Sequence, residues 1–177
     1  GGDTITSGAG DDYVLGDNGR AEFDVDSNAG TLDRMITTDP TIGGADTISS
    51  GADEDVVFSG TANDTISGGE GHDVLLGDHG LLDYSLPIDQ DFKSIFITDS
   101  DGAGSDTIHG DGGDDFILGQ QGGDHLFGDD GQDDITGGHN VLYGTDGDDE
   151  IEGGNERDAV LSENGTISRS RVAGYPS

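Results

Sequence analysis

Apolar residues recur along this chain one at a time. Ile5, Val14, Ile48, Val57, Ile66, Leu75, Ile108, Ile117, Leu126, Ile135, Ile151 and Val160 each stand two places after an aspartate. Those aspartates are Asp3, Asp12, Asp46, Asp55, Asp64, Asp73, Asp106, Asp115, Asp124, Asp133, Asp149 and Asp158. Within runs the interval is nine residues, seen whole in Gly68-Gly69-Glu70-Gly71-His72-Asp73-Val74-Leu75-Leu76. Glycines open the unit, aspartate is sixth and the apolar residue eighth. Chance does not give twelve such pairs, so the chain reads as a repeat array.

Each unit predicts a turn and a short strand. The glycines permit positive φ, and the strand's middle residue points inward while its neighbours point out. One nonapeptide is then half a coil, and two make a full turn of a parallel solenoid with strands ~4.8 Å apart. Residues 18 apart lie above one another, which stacks Asp46 over Asp64, Asp55 over Asp73, Asp106 over Asp124 and Asp115 over Asp133. The outward neighbours alternate in character. One set is polar: Thr4/Thr6, Thr47/Ser49, Thr65/Ser67 and Thr107/His109. The other is apolar: Tyr13/Leu15, Val56/Phe58, Val74/Leu76 and Phe116/Leu118. Consecutive half-coils belong to opposite sheets, so one sheet shows water a polar face and the other needs cover.

The repeat is interrupted. Gly16-Asp17-Asn18-Gly19 and Gly77-Asp78-His79-Gly80 open like repeats, but Ala21 and Leu82 stand at the aspartate's place. Ser162-Glu163-Asn164-Gly165 is a third copy, with Ile167 at that place. The organisation expected is solenoid coils at 1–19, an excursion at 20–40, solenoid at 41–80, a second excursion at 81–100, and solenoid at 101–165. A seven-residue slip falls at 137–143, and 166–177 is a tail or the start of a third excursion. The excursions hold the remaining large apolar residues: Phe23, Val25, Leu32, Met35 and Ile36, then Tyr84, Leu86, Ile88, Phe92, Ile95, Phe96 and Ile97. Each is expected to fold back as a hairpin onto the apolar sheet. The alternative is that this sheet faces another chain.

Composition changes the picture in one respect. Hydrophobic residues are only 29 %, Gly is 34 of 177, and 39 acidic residues face 6 basic ones, for a formal charge of −33. Without its spacing this would be a disordered acidic segment, and without a cation the packed carboxylates and thin core still favour disorder. The charge excludes nucleic acid and anionic membrane surfaces as electrostatic partners, and no apolar run is long enough for membrane insertion. Cysteine is absent, which removes disulfides, thiol catalysis and thiolate metal sites. The chain starts inside a repeat, without an initiator Met or signal peptide, so it is expected to be a piece of a larger protein.

Stacked carboxylates repel unless a cation lies between them. Calcium suits the position, because it is hard, takes oxygen ligands and tolerates loose geometry. At this point the stretches 1–19, 41–80 and 101–165 resemble the hemolysin-type β-roll of RTX (repeats-in-toxin) proteins. The resemblance implies an all-β, right-handed parallel β-roll solenoid, here broken by hairpin-like excursions, that binds several calcium ions. It implies carboxylate ligands at Asp12, Asp46, Asp55, Asp64, Asp73, Asp106, Asp115, Asp124, Asp133, Asp149 and Asp158. It also implies backbone carbonyl ligands from Gly68, Glu70, Gly110, Gly112, Gly119, Gln121, Gly128 and Asp130. Asp53, Ala62 and Glu156 replace the fourth-place Gly, which predicts strained turns there.

The role favoured is a calcium-dependent rigid spacer or filament segment of a large secreted bacterial protein. The resemblance implies that it stays unfolded for type I secretion and folds in extracellular calcium, outside the cell or on its surface. The alternatives are an adhesin segment that binds a partner and the non-catalytic tail of an exported enzyme. No polar cap is evident at either end, so copies or neighbouring repeats stacked end to end are a further expected partner. Catalysis is not expected. Pairs such as Asp114-Asp115 are the fifth and sixth places of the repeat, no Gly-x-Ser-x-Gly elbow is present, and no Lys follows the glycine turns. His72, His79, His109, His125 and His139 form no His-x-x-x-His pair, which predicts exposed histidines and no zinc.

Overall fold

The computed structural model describes residues 1–23, 30, 32–84, 95–96, 104–139, 146–165 and 167. In chain order its strands are β1 (Thr4–Ala9), β2 (Tyr13–Leu15), β3 (Gly19–Phe23), β4 (Leu32–Thr37), β5 (Thr47–Ala52), β6 (Val56–Phe58), β7 (Thr65–Glu70) and β8 (Val74–Leu76). There follow β9 (Leu81–Asp83), β10 (Ile95–Phe96), β11 (Thr107–Gly112), β12 (Phe116–Leu118), β13 (His125–Phe127), β14 (Asp134–Thr136), β15 (Glu150–Glu152) and β16 (Ala159–Leu161). They make two parallel six-stranded sheets, β1-β5-β7-β11-β13-β15 and β2-β6-β8-β12-β14-β16. The chain crosses from one sheet to the other at every half-coil. This is an all-β parallel β-roll.

The stacking runs without a gap through the interruptions. Thr47 pairs with Thr65 at 18 residues, but Thr4 pairs with Thr47 at 43, Thr65 with Thr107 at 42, and His125 with Glu150 at 25. Only the loop between coils lengthens, and the register of inward and outward residues is kept. A one-residue error would turn every side chain to the wrong face.

Between the sheets lies a single file of eighth-place residues. Val14, Ile48, Val57, Ile66, Leu75, Ile108, Ile117, Leu126 and Ile135 form one buried cluster, with Ile5 and Ile151 against its ends. Val160 departs from the expectation and is 45 % exposed, because β16 is the edge of its sheet and no further described coil covers it.

The interruptions build a third sheet, antiparallel, in the order β10-β9-β4-β3. β3 and β4 pair as a hairpin, and β4 then pairs with β9 through Met35↔Leu82 and Ile36↔Leu81. The two excursions therefore do not stand as separate hairpins but share one sheet. Leu32, Met35 and Leu82 are buried with Val56, Phe58, Val74, Leu76, Phe116 and Leu118 in a second cluster. That leaves Val56 at 5 % and Phe58 and Leu76 at 0 % exposure. Val25, Leu86, Ile88, Phe92 and Ile97, and the stretch 168–177, lie outside the described residues.

The turns reuse one backbone device. The second and fourth residues of a unit have positive φ, as at Gly69 (109°) and Gly71 (158°). Asp53 (80°), Ala62 (84°) and Glu156 (71°) hold the fourth place with a side chain present, at about 1–2 kcal/mol each. Gly113 (φ 128°) has a second constraint, since a Cβ there would run into the carbonyl oxygen of Gly71 one coil away. Gly113→Ala is therefore expected to destabilise the folded chain by more than ~2 kcal/mol, read as a higher urea requirement in reverse: a lower unfolding midpoint in saturating calcium.

Candidate metal centre

The sixth-place aspartates form two columns, one along each turn edge of the roll. The first holds Asp3, Asp46, Asp64, Asp106, Asp124 and Asp149, and the second Asp12, Asp55, Asp73, Asp115, Asp133 and Asp158. From the second aspartate of each column onward, Oδ1 accepts the backbone N–H of the aspartate one coil earlier. The distances are 2.7 Å for Asp46 N to Asp64, 2.8 Å for Asp64 N to Asp106 and 2.9 Å for Asp106 N to Asp124. The other column repeats this, with 2.9 Å for Asp55 N to Asp73 and 2.8 Å for Asp73 N to Asp115. The links from Asp12 to Asp55, Asp124 to Asp149 and Asp133 to Asp158 carry the columns across the interruptions.

The second carboxylate oxygen is different. Oδ2 of Asp12, Asp46, Asp73, Asp106, Asp115, Asp124 and Asp149 is buried with no hydrogen-bond partner, while the hydroxyls of Ser50 and Ser59 stand against Asp55 and Asp64. An unpaired buried acceptor costs ~1–3 kcal/mol, more when charged, so seven in two columns are a feature to be explained. All of these oxygens but that of Asp12, whose unit opens on Ser7, look into a space left by a first-place glycine. A Cβ on Gly68 would lie 2.5 Å from Asp73 Oδ2 and 2.9 Å from the carbonyl oxygen of Gly110. The same volume at Gly77 is shared by Asp106 Oδ2 and Gly119 O, at Gly110 by Asp115 Oδ2 and Gly128 O, and at Gly119 by Asp124 Oδ2 and Gly137 O. Carboxylate and carbonyl oxygens thus converge where no side chain stands. An oxygen-only donor set of net negative charge is what a hard divalent cation requires.

Electrostatics agree with that reading. Burial, opposed by the backbone N–H bond and reinforced by the neighbouring carboxylates, pushes Asp73 up to about 6, Asp64 to about 7 and Asp115 to about 8. Asp106 goes furthest, to about 10, because burial is joined by the charge of Asp78 beside it. Asp46, Asp55 and Asp149 are raised by the same first cause.

Six of the eight carbonyls read from the sequence fall into two groups. Those of Gly110, Gly119 and Gly128 face an aspartate Oδ2 as described. Those of Glu70, Gly112 and Asp130 accept backbone N–H bonds from Asp53 (2.8 Å), Gly71 (2.7 Å) and Gly113 (2.8 Å), which leaves each a second lone pair. Gly68 O accepts from Ser50 Oγ at 2.9 Å, and Gln121 is placed by its own N–H to Asp78 Oδ2 at 3.0 Å. Asp12, Asp149 and Asp158, near the ends of the columns, are half-buried, whereas Asp124 and Asp133 are wholly enclosed.

The repeat reading passed over three carboxylates. Asp78 accepts from Gly104 N at 3.1 Å and Gln121 N at 3.0 Å, and is pushed up to about 8 by burial. Asp17 accepts from Thr61 N at 2.6 Å. Asp146 Oδ2 is buried without a partner. All three stand where the chain leaves or rejoins the solenoid. The shared frame Gly-Asp-x-Gly at 16–19 and 77–80 was the available signal. Two histidines depart from the expected exposure: His79 and His139 are 2 % exposed, since the third place of their turns is covered.

A family model for the RTX calcium-binding nonapeptide repeat matches the chain in four copies, at residues 1–20, 42–75, 100–135 and 134–166. Comparison with the curated proteins and with the solved structures finds no match.

Proposed function

The chain belongs to the RTX calcium-binding nonapeptide repeat family, a structural repeat whose cofactor is calcium, several ions to the array, and from that premise we propose that it is a calcium-gated rigid spacer of a secreted bacterial protein. The ions sit in the two columns. The Oδ2 atoms of Asp46, Asp55, Asp64, Asp73, Asp106, Asp115, Asp124, Asp133 and Asp149 are the anionic ligands, with Asp12 and Asp158 at the ends. First-place carbonyls of the neighbouring coil, Gly110, Gly119 and Gly128 among them, and third-place carbonyls such as Glu70 and Gly112 complete the shells.

The unpartnered buried oxygens carry this reading. A bound cation supplies the partner that each lacks and removes the repulsion between coils. Because the columns do not exist in an unfolded chain, binding free energy is folding free energy. The chain is then a coil where calcium is scarce, which suits export, and a stiff rod where calcium is plentiful. The role is structural rather than catalytic. Burial of Val56, Phe58, Val74 and Leu76 beneath the third sheet supports the spacer over an adhesin whose apolar face docks a partner.

Calcium titration followed by far-UV circular dichroism tests it. A cooperative coil-to-β transition, reversed by chelator and not produced by magnesium, is expected. Asp115→Asn, in mid-column, should raise the calcium midpoint severalfold. Asp158→Asn, in the last described coil, should move it much less. A spectrum equally β-rich in chelator at neutral pH overturns the proposal.

A further inference from the structure

The geometry points to a separate site for a borderline divalent metal such as Zn2+ on the outer polar sheet, formed by His109, Asp111 and Asp129. The nitrogen of His109 and one carboxylate oxygen from each aspartate all lie within 4.8 Å of one another. His109 Nδ1 donates to Asp129 Oδ2 at 2.9 Å. Asp111 Oδ2 accepts from Ser67 Oγ at 2.5 Å, which fixes its carboxylate from the coil below. The imidazole is also held in orientation, stacked on Phe127 with ring centroids 4.4 Å apart and planes 8° from parallel.

Nothing in the calcium columns needs these residues. They lie on the outside of the turn, where Asp111 (φ 68°) and Asp129 (φ 68°) take the second place that Gly8, Gly51, Gly69 and Gly154 hold in other coils of the same edge. The donor set differs as well. One imidazole and two carboxylates neutralise a divalent ion, suit Zn2+ and its neighbours, and leave positions open for water. Ca2+ wants six to eight oxygens. Around an ion with ~2.0–2.1 Å bonds, ligand atoms stand roughly 3.3 Å apart, so the His109–Asp129 pair is already near that spacing and only Asp111 must close in. The metal takes the Nδ1 position and the ring proton moves to Nε2, so the imidazole stays neutral.

The test uses the whole chain saturated with calcium, so that the columns are filled before Zn2+ is added. Calorimetric titration should show one Zn2+ per chain, with Co2+ giving a d–d absorption band at the same stoichiometry. His109→Gln should weaken Zn2+ by at least tenfold, and so should Asp129→Asn. Calcium-dependent circular dichroism should be unchanged in His109→Gln, which separates this site from the columns. Absence of saturable Zn2+ uptake, or uptake of equal strength in His109→Gln, overturns the inference.

Discussion

Acid is expected to replace calcium. In chelator at pH 7–8 the chain should be largely coil, and lowering the pH toward 4 should restore β structure without any metal. The argument rests on the direction of the carboxyl shifts. Asp64, Asp73, Asp115, Asp124 and Asp133 stand near 3.8 in an unfolded chain and at about 7, 6, 8, 7 and 6 in the calcium-free fold, and burial is the first cause in each. A group whose folded value is raised holds a proton that the unfolded chain has lost. Its contribution is complete below about pH 4 and declines as pH climbs through the folded value. Stability without calcium therefore falls across pH 4–8, opposite to the common case of carboxylates paired with cations.

The size of the effect is large against the stability of a domain. Ionising a carboxyl moved from 3.8 to about 7 costs roughly 4 kcal/mol. A few such sites match the ~5–15 kcal/mol that holds a typical domain together, and neighbouring sites titrate as a coupled set. Calcium reverses the sign by favouring the ionised form. The calcium midpoint for folding should rise as pH goes from 6 to 8, because the protonated calcium-free fold that assists at pH 6 is lost while the unfolded chain is already ionised, and adding calcium to the acid-folded form should release protons. Circular dichroism across pH 4–8, with and without chelator, reads both arms. A calcium-free chain that gains β structure on going from pH 5 to pH 8 would contradict the burial of these groups.

The architecture was legible wherever the period of nine held. The inward file from Val14 to Ile135 and the alternation of a polar with an apolar sheet follow from which residues neighbour the eighth place. Continuity across the interruptions was not legible. Pairings such as Asp64 with Asp106 or Asp124 with Asp149 lie 42 and 25 residues apart, and a search at 18 does not find them. The sharing of one sheet by both excursions was hidden for a related reason. β4 and β9 meet only because the solenoid stacks their points of departure, and no local pattern carries that information. The same stacking brings Asp111 to Asp129 and so makes a histidine-carboxylate group that no short motif shows. Asp17 and Asp78 were visible as residues but read as punctuation, because the repeat assigns ligand duty to the sixth place alone.

The third sheet leads to the second large effect: truncating its centre should unfold the roll even where calcium is abundant. Met35 is 0 % exposed, pairs with Leu82 across the shared sheet, and lies in the cluster that seals Phe58 and Leu76. Met35→Ala should cost about 2–5 kcal/mol. Met35→Asp should cost more, since it buries an unpaired charge beside apolar neighbours. Calcium cannot offset this by direct contact, because the aspartate columns lie along the turns while this cluster lies on the outer face of one sheet. The expected reading is a higher calcium midpoint for Met35→Ala and loss of the cooperative transition for Met35→Asp. Thr65→Ala, exposed on the opposite sheet, should fall within about 0.5 kcal/mol of the parent. The contrast isolates the cover as a structural requirement: one face of the roll is finished by water, and the other is finished by the chain itself. Equal tolerance of Met35→Asp and Thr65→Ala in circular dichroism would mean that the columns alone hold the roll.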